Sequence, residues 1–187
     1  MVLFYMERRI ENKLYRKKYD TTAINSHGYY PKHIDIDIYK DRFKGCKGLI
    51  NVEWGESQST ADNTKYIGTY GMAFCIALAA SVDTPKKRHR FVSHMYPLDE
   101  NVAENMNAFS EFLNGIKQIN EIKTTISSTK SFTKRFFEDY EMIVLDSLKN
   151  TFGPETKIPL LRSYKLGITP GGKFLKDDRF PPAIITL

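Results

Sequence analysis

Apolar and polar residues alternate strictly in HIDIDIYK, residues 33–40, where three isoleucines face one way and two aspartates the other. A period of two residues predicts a strand that is buried on one face. Apolar segments rich in β-branched and aromatic residues predict further strands. These segments are GLINVEW (48–54), KYIGTYGMAFCIALAASV (65–82, interrupted at Gly71), RFVSHMY (90–96), INEIKTTISS (119–128), KIPLLRSYKLGI (157–168) and AIITL (183–187).

A period near 3.6 residues predicts three amphipathic helices. The first covers residues 4–19, and the second follows Asp99, a candidate N-cap. The third follows Ser131 or Thr133 and is stopped by the Gly-Pro pair at 153–154. Their apolar faces consist of Leu3, Met6, Ile10, Leu14 and Tyr15; of Val102, Met106, Phe109, Leu113 and Ile116; and of Phe136, Tyr140, Ile143, Val144, Leu148 and Phe152.

Polar segments separate these elements. Residues 20–32 and 55–64 have the composition of loops, and DTPKKR and GITPGGKF that of turns. Strands come first and then alternate with the last two helices, which predicts an α+β fold. We expect a mixed, largely antiparallel β-sheet or sandwich with two amphipathic helices on one side. The length of 187 residues fits a single domain over residues 1–187.

Composition and charge narrow the class of protein. Apolar residues make up 41% of the chain, which predicts a packed core rather than disorder. The net charge is +6, so an acidic partner surface is one interpretation, although surface lysines mostly serve solubility. The densest basic run, KKRHR at 86–90, falls in a predicted turn. Aromatic and basic residues do not interleave as in RNA-recognition modules, which argues against a nucleic acid partner.

Several chemistries have no signature in the sequence. Cys46 and Cys75 make neither a disulfide framework nor a zinc site, and no CxxC or HExxH motif occurs. GITPGGK is not a P-loop, because Phe174 follows Lys173 where Ser or Thr is required. We therefore expect no metal and no cofactor. No apolar run reaches transmembrane length and MVLFYMERR is too short for a signal peptide, so we expect a cytoplasmic protein, or one secreted into a host cell without a classical leader.

Cys75 has two opposing interpretations. It begins the apolar run CIALAAS and fits a small core residue, but a cysteine also becomes a nucleophile where a base lies within reach. A hairpin centred near residue 85 would place residue 75 opposite residue 95 or so, which brings His94 into range. His89 belongs to the basic turn, and the remaining histidines lie in or near a loop. Thr69 could hold one imidazole nitrogen and leave the other to the sulfur.

TYGMAFCI at 69–76 and FVSHMYP at 91–97 resemble the chemotaxis receptor glutamine deamidases, the CheD family. That family carries Thr-x-Gly-x-Gly-Ser-Cys-Val, and a later strand ends in Ala-His-Phe-x-Leu-Pro before a helix. The spacings from Thr69 to Cys75 and from His94 to the following proline are those of the family. The cytotoxic necrotizing factors and the Burkholderia lethal factor share the fold and the Cys-His pair. The resemblance covers roughly residues 48–165 and leaves residues 1–45 as an N-terminal extension without a recognised counterpart.

The resemblance implies a CheD-like fold and a cysteine-dependent protein glutamine deamidase. Such an enzyme hydrolyses a glutamine side-chain amide in a target protein to glutamate and releases ammonia. Carried onto this chain, the family pattern assigns Cys75 as the nucleophile, His94 as the base and Thr69 as the residue that orients His94. Backbone N–H groups near Cys75 would stabilise the oxyanion.

The chain also departs from the family pattern. Ala73 and Phe74 stand where the family has Gly-Ser, so we expect them, together with Ser93, to shape the substrate slot. Arg88-His89-Arg90 stands where the family has Gly-Gly. These differences favour a bacterial effector or toxin acting on a host protein over an enzyme acting on a chemoreceptor.

Two other classes of function stay open on the sequence alone. A non-enzymatic basic module, or a catalytically inactive relative, would recognise an acidic protein or a nucleic acid through the KKRHR segment. A thiol hydrolase of another kind, such as a protease or a transglutaminase, would use the same cysteine and histidine on a different bond.

Overall fold

A computed structural model describes residues 48–72, 75–128, 134–163 and 165–176, with the backbone alone for 134–138. Several expectations lie outside these residues. They are the helix over 4–19, the strands over 33–40 and 183–187, both candidate caps of the last helix, and the side chain of Phe136.

The described residues form nine strands and two helices. The strands are β1 (Ile50–Asn51), β2 (Ser57–Thr60), β3 (Ile67–Tyr70), β4 (Ile76–Asp83), β5 (Arg88–Met95), β6 (Glu121–Ser128), β7 (Leu160–Arg162), β8 (Lys165–Ile168) and β9 (Phe174–Lys176). The helices are α1 (Asp99–Asn114), between β5 and β6, and α2 (Lys134–Phe152), between β6 and β7.

These strands form two sheets. The small sheet has the order β1-β3-β8-β9, and the large sheet has the order β2-β5-β4-β6-β7. The pairs β1–β3 and β6–β7 are parallel, and the other described pairs are antiparallel. The predicted α+β fold, with a mixed, largely antiparallel arrangement of strands and two helices, is therefore confirmed.

The large sheet is the middle of three layers. Side chains along β4 alternate between its two faces, as the pleat of a strand requires. Ile76 and Leu78 pack against the helices, whereas Ala77 and Ala79 pack against the small sheet. The helices contribute to their core the buried residues Val102, Met106, Phe109, Val144, Leu145 and Leu148 and the partly buried Leu113, Tyr140, Ile143 and Phe152. We call the space between the two sheets the inter-sheet core.

The β4–β5 hairpin forms as predicted. Its register pairs Asp83 with Arg88 at the turn and Ala77 with His94 near the other end. Extending that register places residue 75 opposite residue 96, one position from the expected partner. The break predicted at Gly71 is also present, because a φ of +78° lets the chain leave the small sheet after β3 and continue into the large sheet.

The basic run KKRHR is only partly a turn, which corrects the prediction. Lys86 and Lys87 lie in the turn and are exposed, but the next three residues belong to β5. Arg90 is 0% exposed and donates hydrogen bonds to the carbonyls of Asp62 and Lys65. Arg88 pairs with Asp83. The two arginines are therefore engaged within the fold, because a guanidinium can satisfy several loop carbonyls and carboxylates at once.

Three strand and loop predictions are wrong in part. Only Ile50–Asn51 of residues 48–54 is strand, and the predicted loop 55–64 contains β2. The single strand predicted over 157–168 is two strands in different sheets, since β7 pairs with β6 and β8 pairs with β3. At the crossing between them, Ser163 Oγ donates to the carbonyl of Lys165 at 2.6 Å. A polar residue inside the apolar run thus marks the change of sheet.

Helix α1 begins one residue earlier than a cap at Asp99 would place it, which corrects the predicted cap. Leu98 is the N-cap, with extended backbone and no side-chain hydrogen bond to the helix. Asp99 and Glu100 lie in the first turn, where negative charge is favoured by the helix dipole. Ile116 lies beyond the end of the helix. At the end of α2, the N–H of Gly153 donates to the carbonyl of Lys149 at 2.8 Å, so the predicted stop is confirmed.

Candidate active site

A hydrogen bond between the two sheets joins the predicted orienting residue to the predicted base. Thr69, on β3 of the small sheet, and His94, on β5 of the large sheet, are separated by 2.6 Å between Oγ1 and Nδ1. Both side chains are 0% exposed. Strand β5 directs His94 into the inter-sheet core because its neighbour two positions back, Val92, packs there. The packing of the two sheets therefore fixes the imidazole.

His94 is a neutral base at physiological pH. Burial lowers its pKa from the ordinary 6.5 to about 4, because the charged imidazolium would lose its hydration. Nε2 is buried and has no hydrogen-bond partner among the described residues. If Nδ1–H donates to Thr69, the lone pair lies on Nε2, which is the tautomer that a general base requires. An unsatisfied buried nitrogen is costly, and a catalytic role is one of the explanations for it.

Cys75 reaches the same core from the neighbouring strand. It directly precedes β4, is 3% exposed and packs in the cluster that contains Ala77. Ala77 is the cross-strand partner of His94. Cys75 precedes Ile76, the first paired residue of β4, and an extension of the β4–β5 register would place it diagonal to His94, a relation in which Cα atoms are about 7–8 Å apart. Thr69, His94 and Cys75 therefore all border the inter-sheet core.

The contact predicted between the cysteine and the histidine is not a hydrogen bond in this structure. Nε2 of His94 has no such partner, and Nδ1 is engaged by Thr69. Catalytic hydrogen bonds are often long or poorly aligned before substrate binds and tighten only in the reacting complex. The assignment of Cys75 and His94 as a catalytic pair therefore rests on their position on the same face of the large sheet, not on a hydrogen bond between them.

Ser93 does not belong to this site, which corrects its assignment to the substrate slot. Successive strand residues point to opposite faces, so Ser93 faces the helices while His94 faces the small sheet. Its side chain is 0% exposed, and Ser93 Oγ donates to Oδ1 of Asn105 on α1 at 3.0 Å. Ala73 and Phe74, the other residues predicted to shape the slot, lie outside the described residues.

His89 is excluded as the partner of Cys75, as the sequence predicted. It is half-buried in β5 rather than in the turn, opposite Val82. Burial, followed by the charge of Lys87, lowers its pKa. It lies five residues from His94 on the same strand, or about 16 Å, and on the opposite face. The other two histidines lie outside the described residues.

Trp54 is a site residue that the sequence analysis did not identify. Its ring packs edge-on against His94, with centroids 6.1 Å apart, and against Tyr96, with centroids 5.8 Å apart. Trp54 is nevertheless 47% exposed. It is the only tryptophan of the chain, and it follows a short strand that the sequence predicted to run through it. A lone, large aromatic at the end of a strand was the available signal.

The turn that carries Trp54 is held from two sides. The N–H of Gly55 donates to the carbonyl of His94 at 2.8 Å, and the N–H of His94 donates to the carbonyl of Glu56 at 2.9 Å. Nδ2 of Asn101 and Nδ2 of Asn105, both on α1, donate to the carbonyl of Gly55 at 3.1 Å. Gly55 has a φ of +77°, which favours glycine there. Trp54 is therefore fixed beside His94.

No protein-family model matches the chain, and no curated protein is significantly similar to it. Among the described residues, no group of three or more His, Cys, Asp or Glu side chains could hold a metal ion. No helix in that part of the chain is both long and apolar enough to cross a membrane.

Proposed function

We propose that the protein is a cysteine-dependent protein glutamine deamidase with a CheD-like arrangement of Cys75, His94 and Thr69. Its substrate is a glutamine side chain of a target protein, which it converts to glutamate. The sequence differs from the receptor deamidases before Cys75 and before His94. These differences favour a bacterial effector or toxin that acts on a host protein.

The reaction requires a thiolate, a proton carrier and water. His94 Nε2 takes the proton from the Cys75 thiol, and the sulfur attacks the amide carbon of the glutamine. His94 then gives that proton to the departing nitrogen, so ammonia leaves and a thioester remains. Water, activated by the same nitrogen, opens the thioester to glutamate and restores the thiol. Thr69 keeps the imidazole in the tautomer that serves both steps.

The 2.6 Å contact between Thr69 Oγ1 and His94 Nδ1 is the observation that carries this proposal. The resemblance assigned these two residues to one unit from local motifs, and they lie in separate sheets. A purely structural threonine–histidine pair would explain the contact but not the buried Nε2 atom, which has no partner among the described residues. The diagonal position of Cys75 adds the nucleophile that such a base needs.

Mass spectrometry of a bacterial or host proteome incubated with the protein tests this function. Conversion of glutamine to glutamate adds about one dalton per site, and we expect modified peptides with the wild-type protein. Neither Cys75→Ser nor His94→Gln should produce them. Absence of any glutamine conversion that depends on Cys75 would contradict the proposal.

The same experiment separates the alternatives. A protease would give cleaved peptides with an added water, and a transglutaminase would join glutamine to an amine. A non-enzymatic basic module has less support, because Arg90 is buried and Arg88 is paired with Asp83, so the KKRHR segment exposes chiefly two lysines. A catalytically inactive relative would leave the proteome unchanged.

A further inference from the structure

The exposed face of the candidate site is built on Trp54. This indole is nearly half exposed, yet it packs edge-on against the fully buried ring of His94 and against Tyr96. Its turn is fixed by hydrogen bonds to the backbone of His94 and to Asn101 of α1. A rigid aromatic between solvent and a buried base is well placed to meet whatever approaches that base.

The chain around Trp54 is acidic although the whole chain is basic. Residues 48–64 contain three acidic residues and no lysine or arginine, and residues 91–116 contain four and none. The net charge of the chain is +6. The Trp54 turn contacts the start of α1, since Nδ2 of Asn101 donates to the carbonyl of Gly55. Glu53 and Glu56 flank the Trp54–Gly55 pair in the chain, and Asp99 and Glu100 lie in the first turn of α1 just before Asn101. We call these four carboxylates the acidic rim.

Local structure explains only part of the acidic rim. Asp99 and Glu100 suit the first turn of α1. Glu53 accepts a hydrogen bond from Asn51, and Glu56 accepts one from Gln58 at 3.4 Å. None of the four forms an ion pair with a described basic residue. Negative charge next to an exposed indole is the environment in which a lysine or arginine side chain binds, by ion pairing and by a cation–π contact.

We propose that Trp54 and the acidic rim recognise a cationic segment of the protein substrate, with lysine or arginine next to the glutamine that reacts. This deepens the proposed function and rests on it. The aromatic face takes the cation, the carboxylates complete its coordination, and the neighbouring glutamine side chain is then directed toward His94 and Cys75. Trp54 is in this scheme a positioning residue, because its indole acts on the substrate without entering the bond changes. The buried Nε2 of His94, which has no partner among the described residues, is the polar atom that an arriving amide would meet.

Fluorescence of Trp54 measures this recognition directly, because it is the only tryptophan of the chain. The Cys75→Ser protein is titrated with two blocked peptides that carry one glutamine, flanked by lysines in one and by glutamates in the other. We expect the lysine peptide to shift the emission of Trp54 saturably and to bind about tenfold more tightly at low salt. Added salt should reduce that preference.

Variants of the rim provide the control. Glu53→Gln combined with Glu56→Gln should remove the preference for the lysine peptide, whereas Glu111→Gln, an exposed acidic residue near the far end of α1, should keep it. Equal binding of the two peptides, no saturable change with either, or a preference that survives the double substitution would overturn the inference. Peptide binding is measured on the Cys75→Ser protein, so it does not depend on turnover. A negative binding result would therefore not contradict deamidation, and a negative proteome result would not change the interpretation of the binding data.

Discussion

Thr69 and His94 are 25 positions apart and belong to different sheets, yet Thr69 Oγ1 lies 2.6 Å from His94 Nδ1. Both side chains are fully buried. The imidazole is therefore oriented by the packing of one sheet on the other, and any change that loosens that packing will also loosen the base.

Replacing the nucleophile should abolish turnover without harming the fold. Cys75→Ser removes the reactive thiol but keeps the size of the side chain, so we expect glutamine hydrolysis to fall by about a thousandfold or more. The measurement is the rate of ammonia release on an identified substrate protein. Cys46→Ser is the matched control and should retain full activity. Equal loss in both variants would assign the effect to the fold rather than to the thiol.

Removing the orienting hydroxyl should cost less than removing the nucleophile. Thr69→Val keeps the shape of the side chain but leaves Nδ1 of His94 without a partner, so activity should fall about 10- to 100-fold. Thr69→Ser retains the hydroxyl and should restore most of that loss. The pH profile of kcat/KM distinguishes an orienting role from a structural one, because the apparent pKa of the base should move only in the valine variant. Full activity of Thr69→Val would show that another group orients His94.

The burial of His94 should make the protein less stable in acid. Its pKa is about 4 in the folded chain and about 6.5 when unfolded. Above pH 6.5 both states carry a neutral imidazole, and no stability is lost there. As the pH falls from 6.5 to 4, the unfolded chain binds a proton that the folded chain excludes, so the free energy of unfolding drops by up to about 3 kcal/mol. Below pH 4 this contribution levels off.

Urea unfolding at several pH values measures this effect. The His94→Gln variant should show a flatter dependence between pH 6.5 and 4 than the wild type does, whatever its own stability at pH 7. His89 is only half-buried, and burial, followed by the charge of Lys87, lowers its pKa. Because it is less buried than His94, His89→Gln should flatten the pH dependence of stability less. An unchanged slope in His94→Gln would mean that other groups govern the acid response.

Arg90 should contribute to stability rather than to attraction of an acidic partner. Its guanidinium is fully buried and bonds the carbonyls of Asp62 and Lys65, so Arg90→Ala should lower the free energy of unfolding by about 2–4 kcal/mol. The exposed Lys87 offers the comparison, since Lys87→Ala should change stability by no more than about 0.5 kcal/mol. Thermal unfolding of both variants checks this; similar small effects would show that Arg90 is replaceable.

Local sequence patterns were sufficient to predict the two strands that carry the candidate site. The glycine break at Gly71, the apolar run of β4 and the short turn before β5 determined a hairpin whose register is within one residue of the prediction. Register follows from turn length and from which side chains must be buried, and both are visible within a short stretch of chain. The same reasoning selected His94 over His89 as the residue that shares a face with Cys75.

Only the tertiary structure decided which surfaces meet. The sequence could not show that β7 and β8 separate into different sheets, that Arg90 turns inward to hold the carbonyls of a loop, or that Ser93 faces the helices. It gave no sign that Trp54 packs on His94. These relations join residues far apart in the chain, and they depend on how sheets and helices pack to exclude water, which periodicity within a single element does not encode.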